Sequence, residues 1–211
     1  MRKKLLPTYQ PIRRRRRRLF LLCVFVVLLS PVLLFAGYIA SRDAWHALNT
    51  QKILHPDESL LVLDQNGEIV SQLYRTENRV SISVSSLPAH VTNAFIAAED
   101  ARFYSHEGVD LIRICGAALA DLKAGSYVEG ASTITQQLIK LTHLSAEKTL
   151  TRKLDEAILS YQLEHIFSKQ QILEAYLNQV YFGSGYYGIE AAANGYFHVP
   201  AAQLSLSQSA L

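Results

Sequence analysis

AEDARFYSHEG, residues 98–108, is the stretch of sequence from which the fold is predicted. It places an acidic pair, Glu99 and Asp100, at the end of a predicted helix whose apolar face includes Val91 and Phe95. Glu99 follows Phe95 by one turn, at the edge of this face, where a carboxylate is partly desolvated and suited to proton transfer. A lone acidic pair is more often an ordinary polar helix end, so the rest of the chain decides between the two interpretations.

Predicted helices dominate the chain from Pro88 onward, which indicates a mainly α fold class. Pro88 suits the first turn of the helix that leads to Glu99. Asp110 is a candidate N-cap for a second helix, which runs to Lys123 and ends at Gly125. A length of 211 residues suits one domain plus an appendage.

A small β element is predicted before these helices. Residues 59–64 and 68–73 are rich in β-forming residues and flank Asn66-Gly67, a pair typical of hairpin turns. Residues 80–84 alternate between apolar and polar side chains, which predicts a further short strand.

The N-terminal segment has the composition of a membrane anchor. Residues 19–41 contain no charge, and about 20 apolar residues suffice to span a bilayer. Nine of the 21 basic residues precede this run, in residues 1–18, without any acid. The positive-inside rule therefore predicts a cytoplasmic N-terminus and an extracytoplasmic body. A cleavable signal peptide is the alternative, although its apolar core is usually shorter and the small-residue sites here are weak.

The rest of the chain excludes some functions. It carries 12 basic against 18 acidic residues, so we expect no nucleic-acid partner. Cys23 lies in the apolar run and Cys115 in a predicted helix. We expect both to be small buried apolar residues, without a disulfide or a cysteine-based metal site.

GASTITQQLIK, residues 130–140, is the second informative stretch. Thr133 and Gln136 form a predicted capping box that opens a helix. Ser132 precedes the free N–H groups of the first turn, which form a candidate anion site, and Lys140 adds a positive charge. A well-capped helix without a ligand explains the pattern equally well.

KTLTRKLDE, residues 148–156, is the third stretch. Lys148, Arg152 and Glu156 share one face of a predicted helix, with Lys153 three residues before Glu156. Either Arg152 and Glu156 form a surface salt bridge, or the cations hold a phosphate group beside a second carboxylate.

SKQQILEAYLN, residues 168–178, is the fourth stretch. Ser168 and Gln171 form another predicted capping box. Tyr176 is interpreted as a core residue, and Asn178 is either structural or lines a cleft. The glycine-rich segment that follows is interpreted as packing rather than catalysis.

The stretches EDARFYSHEG, GASTITQQ, RKLDE and KQQILEAYLN, in this order, resemble the signature motifs of the family 51 glycosyltransferases. These are the peptidoglycan transglycosylase domains of class A penicillin-binding proteins and monofunctional transglycosylases. The resemblance covers residues 59–211 and implies a lysozyme-like, mainly helical fold. It also implies that the protein polymerises lipid II, transferring a lipid-linked glycan chain with inversion and releasing undecaprenyl pyrophosphate.

The resemblance assigns roles by motif position. Glu99 matches the general base, and Glu156 matches a second carboxylate that assists the departure of pyrophosphate, with a divalent metal ion (Mg²⁺ or Mn²⁺) as a candidate cofactor. The residues that match positions holding the pyrophosphate are Ser132, Lys140, Arg152 and Lys153. The residues that match other positions shaping the cleft are Asp100, Phe103, His106, Gln136, Gln137 and Asn178.

The expected organisation is a cytoplasmic basic tail (1–18), a transmembrane helix (19–41), a linker (42–58) and a transglycosylase domain (59–211). His198-Val199 departs from the Gly-Lys common in the family, and the family's domain normally continues past Leu211. We therefore expect a C-terminally truncated domain, with any transpeptidase domain lying beyond it. The expected partners are lipid II, the lipid-linked glycan chain, the bacterial membrane and, as candidates, cell-wall synthesis proteins.

Two alternatives remain from the sequence. A lytic transglycosylase or lysozyme-like hydrolase shares the fold, but glycan hydrolysis offers no pyrophosphate for Lys140, Arg152 and Lys153 to hold. An inactive membrane-anchored glycan-binding protein is the other alternative, and the presence of Glu99 and Glu156 argues against it.

Overall fold

The computed structural model describes residues 30, 37, 41, 48–54, 60–63, 65, 69–73, 78–126, 130–145, 147 and 149–211. The chain divides into two compact units, Met1–Asp43 and Ala44–Leu211. In the first unit, the Ser41 N–H donates to the Gly37 carbonyl at 3.0 Å. The predicted tail and nearly all of the predicted transmembrane helix lie outside the described residues. Within the described residues, no helix is long and apolar enough to cross a membrane.

The second unit is mainly helical, which confirms the predicted fold class. Its described α-helices are α1 (Thr50–Leu54), α2 (Ala89–Glu99), α3 (Leu111–Ala124), α4 (Ile134–His143), α5 (Leu150–Ile166), α6 (Lys169–Gln179), α7 (Ile189–Phe197) and α8 (Leu206–Ser209). Its described strands are β1 (Leu60–Leu63), β2 (Ile69–Leu73), β3 (Asn78–Arg79) and β4 (Tyr186–Tyr187). Short 3₁₀ turns occur at Val84–Ser86, Phe103–Ser105 and Ala201–Gln203.

Helix boundaries follow the local signals in the sequence. Capping boxes open α4 at Thr133 and α6 at Ser168, as predicted. Asp110 accepts a hydrogen bond from the Arg113 N–H at 3.0 Å and caps α3. Gly125 ends α3 with a φ of 65°, in the left-handed region that a residue without Cβ adopts most readily. Each of these caps satisfies backbone groups that a helix end leaves without partners.

The core lies where α4 packs against both α5 and α6. The largest of its fully buried aliphatic side chains are Ile134, Leu138, Ile139, Leu159, Leu163, Ile172, Leu173 and Leu177. Full burial of one such side chain contributes about 1.5–3 kcal/mol. The short helix α1, within the predicted linker, also joins this core, because Ile53 is buried and its carbonyl accepts from Nε2 of Gln179 at 2.8 Å. The packing of α4 against α5 and α6 therefore gives the side chains along α4 a firm support.

The two described sheets each have two strands. β1 pairs with β2 antiparallel, with Leu60 opposite Leu73, which confirms the predicted hairpin. β3 pairs with β4 in parallel, with Asn78 opposite Tyr186. The second pairing joins segments that lie far apart in the sequence. It connects the segment that precedes the helical body with the segment that follows α6.

The predicted strand at residues 80–84 is wrong. Residues 80–83 carry no strand assignment, and Val84 begins a 3₁₀ turn. Side chains of α6 bind this backbone instead: Asn178 donates to the Ile82 carbonyl at 2.8 Å and accepts from its N–H at 2.9 Å. Glu174 accepts from the Val84 N–H at 2.8 Å. The segment's backbone is therefore satisfied by side chains, and a partner strand is not required.

Helix α3 exposes apolar side chains, and this overturns one prediction. Its exposed large apolar residues are Leu111, Ile112, Ile114, Leu119 and Leu122. Cys115 is exposed as well and has a free thiol, so the prediction that it is buried is wrong. The physical reason is that α3 is apolar around most of its circumference, while Ala117 is its buried residue. An apolar neighbourhood in the sequence therefore did not imply burial here.

Candidate active site

Glu99 is the last residue of α2, and its side chain is half-buried. Its carboxylate oxygen Oε2 accepts a hydrogen bond from Nε2 of Gln137 at 2.7 Å. The Arg113 guanidinium donates to the backbone carbonyl of Glu99. Three helices therefore meet at this residue: α2 supplies it, α4 holds its carboxylate and α3 holds its backbone.

Gln137 is held in turn by Tyr176 of α6. The Tyr176 hydroxyl donates to Oε1 of Gln137 at 3.3 Å, and the tyrosine itself is 2% exposed. Burial and, to a smaller extent, the negative charge of Glu99 raise the pKa of Tyr176 well above its usual range. The hydroxyl therefore keeps its proton, and remains able to donate, at any physiological pH.

Glu156 lies on α5 and is 2% exposed. Its Oε2 accepts from Nη1 of Arg152 at 2.9 Å, and Nζ of Lys153 contacts Oε1. The same Nζ donates to Oγ of Ser132 at 2.8 Å. Arg152 and Glu156 thus form an ion pair, as one interpretation of the sequence held, but the acid of this pair is buried. We call Ser132, Arg152, Lys153 and Glu156 the cationic cluster.

The cationic cluster does not suit a divalent metal ion. Magnesium and similar hard cations bind several oxygen ligands, whereas both oxygens of Glu156 contact positively charged side chains. Among the described residues, no group of three or more His, Cys, Asp or Glu side chains is arranged to hold a metal. The donor set around Glu156 therefore favours an anionic ligand for Arg152 and Lys153.

Asp100 is fully buried and binds the start of α4. Its Oδ2 accepts from Nε2 of His106 at 2.9 Å and from the N–H of Ile134 at 3.1 Å. The Thr133 hydroxyl accepts from the Gln136 N–H at 3.1 Å. These contacts favour the interpretation of a well-capped helix, because two of the N–H groups of its first turn bind within the protein. The anion that the helix end favours is the carboxylate of Asp100.

Three further residues predicted at the site are buried in the protein. The Phe103 ring is fully buried, 4.5 Å from Nζ of Lys169. Gln136 completes the capping box of α4, and Asn178 binds the backbone of Ile82 on both sides. In this conformation these side chains contact protein rather than solvent, and each contributes packing or hydrogen bonds within the protein.

The start of α4 connects Glu99 to the cationic cluster. Ser132, two residues before the helix, belongs to the cluster, and Gln137, in the second turn, binds Glu99. Lys140 follows Gln137 by three residues and is exposed, so it lies near the same face of α4. The arrangement combines a proton acceptor with fixed cations along one helix. This suits transfer to a hydroxyl group with departure of an anionic leaving group.

Three residues at or near the site were not predicted to contribute to it: Arg113, Tyr176 and Glu164. Glu164 of α5 accepts from the Thr135 hydroxyl at 2.5 Å and lies 2.6 Å from Nζ of Lys169. One feature of the sequence could have indicated a role for Arg113, because a charged residue within an apolar helix usually has a specific partner. The same holds for Tyr176, because the hydroxyl of a buried tyrosine usually finds a hydrogen-bond partner.

Comparison with known proteins identifies the family. Residues 66–211 match the family described as Transglycosylase. The chain is 42% identical over 197 residues, 93% of its length, to penicillin-binding protein 1F of Bacillus subtilis (strain 168). It is 44% identical over 156 residues (74%) to penicillin-binding protein 1A of Aquifex aeolicus (strain VF5), and 39% identical over 197 residues (90%) to penicillin-binding protein 1A of Streptococcus oralis. The chain belongs to the transglycosylase family, which confirms the resemblance.

The aligned region covers less than a third of the length of each relative. The aligned part amounts to 27% of the Bacillus protein, 21% of the Aquifex protein and 30% of the Streptococcus protein. The chain therefore corresponds to about a quarter of the length of these curated relatives.

Proposed function

We propose that this chain is a peptidoglycan glycosyltransferase with a lysozyme-like helical body, which polymerises lipid II and releases undecaprenyl pyrophosphate. Membership of the transglycosylase family supports the reaction class. The observation that carries the proposal is the attachment of both Glu99 and the cationic cluster to the start of α4. Such a pair of groups meets the two chemical needs of the reaction, deprotonation of a sugar hydroxyl and neutralisation of a pyrophosphate.

In the proposed reaction, Glu99 is the general base. The hydroxyl oxygen of the acceptor sugar attacks the anomeric carbon of the donor, and the bond from that carbon to the pyrophosphate oxygen breaks. The hydroxyl proton passes to the Glu99 carboxylate. Inverting glycosidases typically separate their two carboxyl groups by about 6.5–9.5 Å to admit a water, and a sugar hydroxyl needs at least as much room.

In the same proposal, Arg152 and Lys153 bind the leaving pyrophosphate, assisted by Lys140 and Ser132. Fixed cations stabilise charge that develops on a leaving group without reorganising during the step. Glu156 holds the two cations side by side and offsets the repulsion between them. The divalent metal ion stays a prediction, and no step of this mechanism passes through it.

The lipid-linked substrate requires an enzyme at a membrane surface. The predicted anchor at residues 19–41 and the exposed apolar residues of α3 support this part of the proposal. Clusters of exposed apolar side chains are typical of interaction sites. The proposed location of the catalytic body is extracytoplasmic, against the membrane, and cell-wall synthesis proteins are its proposed partners.

The test is the fate of radiolabelled lipid II incubated with the full chain in detergent micelles. We expect labelled strands longer than the disaccharide, which a muramidase then degrades, and no release of fragments from preformed peptidoglycan. Fragments released from preformed peptidoglycan without any polymerisation would contradict the proposal and favour a lytic enzyme. Binding of glycan strands with neither reaction would contradict it as well, in favour of a binding protein.

A further inference from the structure

We propose that Tyr176 is a positioning residue, which acts through the side chain of Gln137 to orient the carboxylate of Glu99. The proposal rests on the proposed function, in which Glu99 is the base. Tyr176, Gln137 and Glu99 lie on α6, α4 and α2, and two consecutive hydrogen bonds connect them. Gln137 lies 38 positions after Glu99, and Tyr176 lies 39 positions after Gln137, so the connection arises only on folding.

The two hydrogen bonds differ in strength. Gln137 Nε2 donates to Oε2 of Glu99 at 2.7 Å, and hydrogen bonds to an ionised carboxylate are the stronger class. The Tyr176 hydroxyl donates to Oε1 of Gln137 at the longer distance of 3.3 Å. A glutamine amide has a donor end and an acceptor end. Because the tyrosine binds the acceptor end, the donor end points towards Glu99.

Tyr176 is a rigid anchor for a flexible side chain. The tyrosine is 2% exposed and packs in the core, whereas Gln137 is half-buried. A glutamine loses considerable rotamer freedom when it is held in one conformation, so a fixed partner is needed to keep the amide in place. Burial of the phenol and the charge of Glu99 keep the hydroxyl protonated, so this anchor is a permanent donor.

The consequence is a distinction between the two oxygens of Glu99. Gln137 occupies Oε2. Among the hydrogen bonds of the described residues, none involves Oε1. We therefore assign the acceptance of the proton to Oε1. Loss of the Tyr176 hydroxyl should let the amide rotate, which would remove the donor from Oε2 and disturb the orientation of the base.

The test compares Tyr176→Phe with the matched variant Tyr161→Phe in the polymerisation assay. Tyr161 is a surface residue of α5, 44% exposed. Loss of one neutral hydrogen bond should lower kcat about three- to tenfold in Tyr176→Phe. We expect KM for lipid II to change less than about twofold.

A double-mutant cycle with Gln137→Met tests whether the effect passes through Gln137. If it does, Tyr176→Phe has little further effect once the amide is absent. Where the Gln137→Met rate is too low for a cycle, the comparison of kcat with KM in the two tyrosine variants decides. Thermal denaturation confirms that each variant is folded.

Two outcomes would overturn the positioning role: a wild-type kcat for Tyr176→Phe, or an undiminished loss in the Gln137→Met background. Glu99→Gln, measured in parallel, separates this from failure of the proposed function. An active Glu99→Gln enzyme would contradict the role of the base itself. An inactive one, combined with either outcome above, would reject only the role of Tyr176.

Discussion

The Asp100 carboxylate accepts a hydrogen bond from the backbone N–H of Ile134 at 3.1 Å, and this contact fixes the neighbour of Glu99 to the first turn of α4. His106 donates to the same oxygen at 2.9 Å. A helix N-terminus and an imidazole donor both stabilise negative charge, so the carboxylate is tolerated although it is fully buried. Asp100 therefore determines where the adjacent residue, Glu99, lies relative to α4.

Asp100→Ala should lower the free energy of unfolding by at least about 1–3 kcal/mol, because the buried donors of His106 and Ile134 lose their acceptor. Urea denaturation followed by circular dichroism measures the loss. Glu107→Ala is the control, because Glu107 is an exposed acid in the same segment, and its effect should stay within about 0.5 kcal/mol. Equal stability of the two variants would show that Asp100 does not hold α4 in place.

Arg152→Ala should weaken binding of a lipid pyrophosphate or of a phosphoglycolipid inhibitor such as moenomycin. A hydrogen bond to a charged group contributes roughly 1.5–3 kcal/mol, which corresponds to about tenfold or more in the dissociation constant. Isothermal titration calorimetry in detergent provides the measurement. Lys123→Ala, a change at an exposed cation near the end of α3, should leave the affinity unchanged. Wild-type affinity in a folded Arg152→Ala variant would remove this residue from the donor site.

His198→Gly should stabilise the protein. His198 ends α7 in the left-handed conformation, with a φ of 57°, and its side chain is exposed. This conformation costs a residue with a Cβ about 1–2 kcal/mol, a cost that glycine avoids. Glycine loses part of this gain through the greater freedom of the unfolded chain, so we expect Tm to rise by about 2–4 °C. His198→Ala is the control: it removes the imidazole but keeps the strain, and an equal rise there would assign the effect to the side chain.

The sequence predicted those parts of the fold that depend on neighbouring residues. The capping boxes at Thr133 and Ser168, the cap at Asp110 and the hairpin between β1 and β2 all rest on local signals, and all are confirmed. The order of the four motifs also predicted the family, which the comparison confirms.

The features that local patterns missed or left open depended on distant residues. The backbone of Ile82 is bound by Asn178, which lies 96 positions further along the chain, so no local pattern could exclude a strand at residues 80–84. The N–H of Ile134 at the start of α4 binds Asp100, which lies 34 positions earlier, so the local pattern left open whether this helix end binds a ligand. The contact of Gln137 with Tyr176 spans 39 positions and likewise could not be predicted from the motifs. Local patterns specified the helix ends, whereas tertiary packing decided which polar groups remained free.

The central claim is that Glu99 accepts the proton during glycan polymerisation. Glu99→Gln keeps the size of the side chain, and an amide oxygen still accepts from Gln137, but the amide cannot take the proton. General base catalysis contributes typically 10² to 10⁴-fold, so we expect at least about a hundredfold loss of polymerisation, with donor binding retained. Glu107→Gln, at an exposed acid of the same segment, should keep the wild-type rate.

The most direct measurement is the initial rate of strand formation from labelled lipid II by Glu99→Gln and Glu156→Gln, compared at matched thermal stability. The account predicts that Glu99→Gln binds the donor with wild-type affinity yet is nearly inactive, and that Glu156→Gln loses donor affinity because Arg152 and Lys153 lose their shared partner. Polymerisation by Glu99→Gln at close to the wild-type rate would contradict the account.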